Sequence, residues 1–356
     1  NRTQTVDFKK DDINTWTLND FHKKISELYL QSVENTALLQ ATKLEKYDSL
    51  ITKGNVRYLR PTLFDILAQR ALNYFKSDER NITKPAYAFE ITQPEAFAPA
   101  AEFAKFDFST KDSFSLKQKA LFIYQELIRF HLHDAKPEAL IDADIARLDF
   151  VYKNSVSTRK DELYFNALTE LSNKFPYNPM TDQARYLLAR RHYEKGILYN
   201  ANGDTSNRFE IKKAKELLDK ILDTRTDSEG WTNAYNLRSQ IMQPALQVQA
   251  EKVNVPGQPF RVLVSFKNLQ NIYLRVIPAT ASIKSALKNV NDNNKFWDIL
   301  AEATALKTWQ QELPIASDLQ THRVEIKIDA LPAGEYYILA SKRNDFYRNK
   351  NIMAGW

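Results

Sequence analysis

From Thr17 to Ile241 apolar residues recur at spacings of three and four, and from Leu246 onward at every second position. The first period lines one face of a helix and the second one face of a strand, so the chain is expected to pass from a helical layer to a sheet. The junction is 249–278, where Pro256, Gly257 and Pro259 interrupt the pattern. Beyond them Phe260, Val262, Val264 and Phe266 alternate with Arg261, Leu263, Ser265 and Lys267. Asn268-Leu269-Gln270-Asn271 makes a turn, and Ile272, Leu274 and Val276 alternate with Tyr273, Arg275 and Ile277.

Read in order, residues 1–16 are polar and expected to fray. Thr17 with Asp20, and Thr62 with Asp65, have capping-box spacing. The first box opens a helix carrying Phe21, Ile25, Leu28 and Ser32, and the second a helix carrying Phe64, Leu67, Ala71 and Tyr74. Between them Ala37, Ala41, Leu44 and Ile51 predict a further helix ending at Gly54. In 76–114, Pro85, Pro94 and Pro99 rule out one continuous helix, while Tyr87, Phe89, Phe97, Phe103, Phe106 and Phe108 are too apolar for a solvated linker. The favoured reading lays these aromatics over neighbouring helices, and the other makes them a docking surface for another domain of the same polypeptide.

Helices then resume. Ser115 and Gln118 cap one bearing Ala120, Ile123, Leu127 and His131, and Pro137 opens one bearing Ile141, Ile145, Leu148 and Tyr152. Thr158 with Asp161 is expected to cap one bearing Tyr164, Leu168, Leu171 and Phe175. Ala184, Leu187 and Leu188, then Ile211, Ala214, Leu218 and Ile221, then Trp231, Ala234 and Ile241 mark three more. Short connections imply stacked helical pairs. The stretch 184–222 resembles tetratricopeptide-type pairs, with Tyr193 and Gly196 closing one helix, although the insertion 198–208 breaks the period of about 34 residues. Strands are expected at Leu246–Ala250, in the two runs above, at 306–313, around Val324–Ile328, at Tyr336–Ala340 and at 351–356. Residues 281–305 form an insertion with a short helix through Phe296, Ile299, Leu300 and Ala303. The predicted architecture is an all-α helical-hairpin (tetratricopeptide-like) solenoid over 1–244, followed by a seven-stranded antiparallel β-sandwich over 245–356.

Composition narrows the function. With 356 residues two domains are the natural reading, and 7 Gly against 17 Tyr and 20 Phe describes an ordered chain. The charge of +6 is spread. Even the basic stretch Arg208–Arg225 interleaves Glu210, Glu216, Asp219 and Asp223, so no nucleic-acid partner is expected. The absence of cysteine removes disulfides, thiolate metal sites and thiol nucleophiles. No apolar run is long enough to span a bilayer, so this piece is not expected to insert in a membrane. The opening Asn1-Arg2-Thr3 and the closing Ile352-Met353-Ala354-Gly355-Trp356 suggest a processed piece of something longer.

Candidate chemistry is sparse. His131-Leu132-His133-Asp134 has a spacing unsuited to metal binding on a helix, and His131 is expected to be a core residue with one satisfied nitrogen. His192 receives the same reading, and His22 and His322 have no partner nearby in sequence. Asp142, Asp144 and Asp149 lie within a helix and lack the glycine of a calcium loop. Asn200-Ala201-Asn202-Gly203-Asp204 with Glu210, and Asn289–Asn294, read as polar turns. No phosphate loop, dinucleotide fingerprint or nucleophile elbow occurs. The expectation is therefore no catalytic residue, no metal ligand and no cofactor.

A family resemblance starts at Pro256-Gly257-Gln258-Pro259 and continues through Val264-Ser265-Phe266-Lys267-Asn268-Leu269 and Ile272-Tyr273-Leu274-Arg275-Val276-Ile277. It includes Trp309–Pro314, Val324–Ile328 and Leu331-Pro332-Ala333-Gly334-Glu335-Tyr336-Tyr337-Ile338-Leu339-Ala340. These segments resemble the first macroglobulin domain of bacterial alpha-2-macroglobulin-like proteins. Tyr58–Asp65, Ala68–Leu72 and Arg147–Val151 resemble the helical extension that precedes it. The resemblance implies a non-catalytic N-terminal scaffold and interaction module of a protease-trapping protein, exported to the periplasm or cell envelope by a signal or lipid anchor upstream of residue 1. Its implied partners are further macroglobulin domains of the same polypeptide and the proteases engaged by the full-length protein. A family thioester cannot lie in this cysteine-free piece. The alternatives are a stand-alone helical-repeat adaptor for a peptide or protein, and a hydrolase whose carboxylates meet only in the fold.

Overall fold

The computed structural model describes residues 9–77, 87–288, 290–347 and 351–355. Helices come first and antiparallel sheets follow, and the chain divides into two compact units. The first comprises 1–188 with 224–233, the second 189–223 with 234–356. This division does not track the change of secondary structure near residue 244, because helical residues 189–223 and 234–242 cluster with the strands.

The first unit holds α1 (Leu18–Gln31), α2 (Thr36–Ala41), α3 (Leu63–Phe75), α4 (Ala100–Phe103), α5 (Leu116–His131), α6 (Glu138–Asn154), α7 (Lys160–Lys174) and the first half of α8 (Thr181–Gly196). Both capping boxes form. Thr17 N donates to Asp20 Oδ2 at 2.9 Å, and Thr62 N to Asp65 Oδ2 at 2.8 Å. Ser115 Oγ accepts from Gln118 N at 3.1 Å. Stripes from α3, α5 and α6 supply the core, with Phe64, Leu72, Leu121, Ile123, Leu127, Ile141 and Leu148 buried.

Four local expectations need correction. Helix α1 buries His22 and Ser26, while Leu28, expected on its apolar face, is exposed. The helix expected to reach Ile51 stops at Ala41, because Lys43 bridges Thr62 and Leu63 N donates to Thr42 O at 2.8 Å. That pairing draws the backbone out of the helical ladder, and only a 3-10 turn, Leu44–Tyr47, follows. Thr158 is not a cap. Helix α7 begins at Lys160, Ser157 Oγ accepts from Arg159 N, and Asp161 accepts from the Tyr152 hydroxyl at 2.7 Å. The insertion holds two helices, not one.

The second unit contains the rest of α8, then α9 (Glu210–Leu222), all of α10 (Glu229–Met242) after Asn233, and seven described strands. These are β1 (Ala245–Ala250), β2 (Phe260–Lys267), β3 (Asn271–Pro278), β4 (Lys307–Glu312), β5 (His322–Ile328), β6 (Tyr336–Ser341) and β7 (Met353–Gly355). One sheet runs β1-β2-β5 and the other β4-β3-β6-β7, with every pairing antiparallel. Val264 lies opposite Val248 and Val324, and Leu274 opposite Trp309 and Ala340. The even-numbered residues of β2 and β3 thus meet in one core with Ile326, Ile328 and Ile338.

Helices α11 (Ala281–Leu287) and α12 (Asn293–Glu302) build a further layer. Ile283, Leu287, Phe296, Trp297 and Leu300 pack with Tyr273, Ile277, Tyr337 and Leu339, the odd-numbered residues of β3 and β6. Both faces of β3 are therefore covered, which explains its near-continuous apolar run. Among the described residues no helix is long and apolar enough to cross a membrane.

Asn268 does two jobs at the β2–β3 turn. Its φ of 54° is left-handed, a region that suits Asn, and its Nδ2 donates to Ile241 O at 2.8 Å at the end of α10. Asn268→Ala loses both features and is expected to cost roughly 1–2 kcal/mol in urea denaturation, whereas Asn268→Gly, which keeps the backbone freedom, costs less.

Candidate functional site

The polar interior of the first unit is organised by the irregular segment. Residues 87–112 carry the buried side chains Phe89, Ile91, Phe97, Phe103 and Phe108, so the segment is wrapped onto the helices, although Tyr87 of the aromatics expected there is exposed and Phe106 half-buried; residues 78–86, including Pro85, lie outside the described residues. A buried backbone whose only regular pieces are a 3-10 turn, Pro94–Phe97, and the single turn of α4 leaves carbonyls in need of donors. Helices α5 and α6 and the residue after α6 supply them. Gln125 Nε2 donates to Phe103 O at 2.8 Å and to Phe106 O at 2.6 Å, and Arg129 Nη2 donates to Ala104 O at 2.7 Å. Ser155 Oγ donates to Ile91 O at 2.9 Å.

Arg147 is the central donor. It is 1% exposed, yet Nη1 donates to Ala96 O at 2.6 Å and Nη2 to Ala98 O at 3.0 Å. Nε donates to Asp144 Oδ1 at 3.1 Å, and the guanidinium lies over the Phe103 ring, 4.5 Å from its centroid. A planar fork can serve two carbonyls and a carboxylate at once, which the point charge of lysine cannot. Beside it is a cleft bounded by Phe97, Pro99, Leu140, Asp144, Glu170 and Lys174. It has room for about one water molecule, far less than the roughly 300 Å³ at which ligand pockets begin.

His131 differs from expectation. Both nitrogens are engaged, Nε2 with Asp65 Oδ1 at 2.8 Å and Nδ1 with Asp134 Oδ2 at 2.6 Å. The sequence showed Asp134 nearby, but Asp65 arrives from α3 through tertiary packing. Burial disfavours charge on the ring, and the bonds to Asp65 and Asp134 outweigh it and raise the pKa above the ordinary histidine value.

In the second unit the corresponding centre is Asp318, fully buried between β4 and β5. Its Oδ2 accepts from Arg208 Nε at 2.8 Å, and Oδ1 pairs with His322 Nε2 at 2.7 Å and accepts from Gln320 N at 3.1 Å. Leu319 between them is left-handed, φ 60°, so Asp318 and Gln320 both reach back to the helical segment. Gln320 Nε2 donates to Gly196 O at 2.9 Å, where α8 ends. Burial opposes the charge on Asp318, but the bonds from Arg208, His322 and the backbone prevail and hold its pKa below the usual carboxylate value. This cluster ties the α8–α9 hairpin to the sandwich.

The remaining sequence candidates do not converge. Asp142 pairs with Arg60, Asp144 with Arg147 and Asp149 with Lys153. Burial pushes the pKa of Asp142 up, against the pull of Arg60. Glu210 turns away from the 200–204 loop to His192 Nδ1 and Lys213 Nζ, both at 2.6 Å, while Asn200 and Asp204 accept from backbone N–H groups of their own turn. His22 Nδ1 meets the Tyr74 hydroxyl at 2.7 Å, and His133 is exposed. Asp292 caps α12 as turn chemistry requires; Asn289 lies outside the described residues. In the basic stretch Lys215 and Arg238 both pair with Asp219. Among the described residues no three His, Asp or Glu side chains group as metal ligands.

Sequence reasoning missed Arg147 and Asp318 as organising residues, and His322, read as having no partner nearby in sequence, pairs with Asp318 four residues before it. Each carried a readable sign, an acid three residues before an arginine on a buried stripe, and an acid four residues before a histidine. No protein-family model matches the chain, and no curated protein is similar to it.

Arg147→Met leaves the buried Asp144 and the Ala96 and Ala98 carbonyls without their donor and is expected to lower stability by about 3–5 kcal/mol. Limited proteolysis should then cut within 94–104; unchanged cleavage there would mean the aromatics alone hold the segment. In the second unit Asp318→Ala should cost roughly 2–4 kcal/mol in urea denaturation, since three donors lose their acceptor. Arg208→Ala, whose side chain is half-exposed, should cost under about 1 kcal/mol.

Proposed function

We propose that this chain is a non-catalytic scaffold and interaction module at the N-terminal side of a bacterial alpha-2-macroglobulin-like protease-trapping protein. In this reading its tetratricopeptide-like helical pairs lead into a macroglobulin-type sandwich. The observation that carries it is the buried Asp318 cluster, by which a helical hairpin and a two-sheet antiparallel sandwich become one compact unit. A joint of this kind suits a part that transmits position and not one that turns over substrate. Seven described strands in sheets of three and four support the sandwich assignment. The helical assignment draws support from Gly196, where a Cβ would come within 2.8 Å of the Ile211 backbone, and Gly230, where it would come within 2.1 Å of the Gln183 backbone. Close helix crossings of this sort need glycine.

The module acts after export, in the periplasm or cell envelope, with further macroglobulin domains of the same polypeptide as its neighbours. The proteases are engaged by the full-length protein. The test begins with the gene. The open reading frame is expected to continue beyond Trp356 with more β-sandwich segments and to encode an export signal ahead of Asn1. The full-length product, exposed to an endoprotease, should retain it in one complex on gel filtration. A reading frame closing near Trp356 would overturn the proposal and leave the stand-alone helical-repeat adaptor.

A further inference from the structure

His131 closes α5 with its ring enclosed, 2% exposed, between two carboxylates. A neutral imidazole has a single N–H, so it can donate to only one of them, and its lone pair must then face the other. Contacts of 2.8 and 2.6 Å on the two nitrogens therefore call for the imidazolium.

The two carboxylates are not equivalent. Asp65 is 1% exposed, and its second oxygen accepts from Thr62 N at 2.8 Å and Thr62 Oγ1 at 2.7 Å, the bonds that start α3. Asp134 is 35% exposed and sits in the connection between α5 and α6, where its backbone N donates to His131 O at 3.2 Å. Asp142 on α6, itself held by Arg60 Nη2 at 3.1 Å, also interacts electrostatically with the ring.

We propose that His131 is a proton-operated clasp: as imidazolium it ties the 132–137 connection to the start of α3, and as neutral imidazole it keeps Asp65 through Nε2–H and releases Asp134 to water. The asymmetry follows from solvation. Water can take over the hydrogen bond of Asp134, whereas the enclosed Asp65 Oδ1 has no water to turn to and would lose its donor. Burial opposes protonation of the ring, but Asp65 and Asp134 outweigh it and the pKa is raised. The stabilisation is thus complete below the pKa of unfolded histidine, about 6.5, and is lost as pH climbs through the higher folded value.

The test uses the whole chain labelled with ¹⁵N. Ring spectra across a pH series should show both His131 nitrogens protonated at pH 6, about the unfolded value, and only Nε2 protonated at the alkaline end. Over the same range amides of 132–136 should lose about tenfold in hydrogen-exchange protection, the loss of one charge-assisted bond, while Thr62 and Leu63, whose amides donate to Asp65 Oδ2 and Thr42 O, keep theirs. Asp134→Asn, a partly exposed substitution, should lower the pH at which His131 titrates and loosen 132–137 already at pH 6, with α3 unaffected. A neutral His131 at pH 6, an Nδ1–H tautomer at high pH, or protection at 132–136 indifferent to both pH and Asp134→Asn would each overturn the clasp.

Discussion

Buried backbone oxygens must find donors, and much of this structure depends on where those donors come from. A helix or a sheet answers the demand internally. Residues 87–112 and the ends of α8 and α10 cannot, and they are served by side chains distant in sequence: Arg147, Gln125, Arg129 and Ser155 in the first unit, Gln320 and Asn268 in the second. Without them the aromatic segment could bury its rings only by stranding its own carbonyls. Its Phe side chains supply the apolar area, and Arg147 makes the burial admissible.

The charges that accompany these donors obey the same economy. Arg147 is balanced by Asp144, Asp318 by Arg208 and His322, and His131 by Asp65 and Asp134. Ion pairs of this kind contribute little net stability compared with an apolar replacement, but removal of the buried member alone is costly. Each joins segments distant in sequence at a single register. The insertion α11–α12 extends the principle to apolar surface. By covering Tyr273, Ile277 and Leu339 it converts the outer face of one sheet into a second, smaller core.

Much of the secondary structure was legible beforehand because it is governed by local periodicity and capping. Thr17, Thr62 and Ser115 cap as their spacing indicates, and the alternation in 260–277 becomes β2 and β3. The departures have a common cause. Lys43 leaves its helix to pair with Thr62, Asp161 prefers Tyr152 to a cap, and Glu210 prefers His192 to its loop. In each case a partner brought near by folding outcompeted one adjacent in sequence.

The amino-acid sequence alone thus determined where helices give way to strands, which faces of most elements after α1 are apolar, and that 76–114 is too apolar for a solvated linker, because period and composition are properties of the chain itself. Only the tertiary structure decided that 189–223 clusters with the sandwich, that Asp65 meets His131, and that Arg147 and Asp318 are the centres of their units. Those facts depend on contacts spanning 49 to 110 residues for Arg147–Ala98, His131–Asp65 and Arg208–Asp318. No local pattern encodes such a contact, because its energy exists only once the intervening chain has been packed.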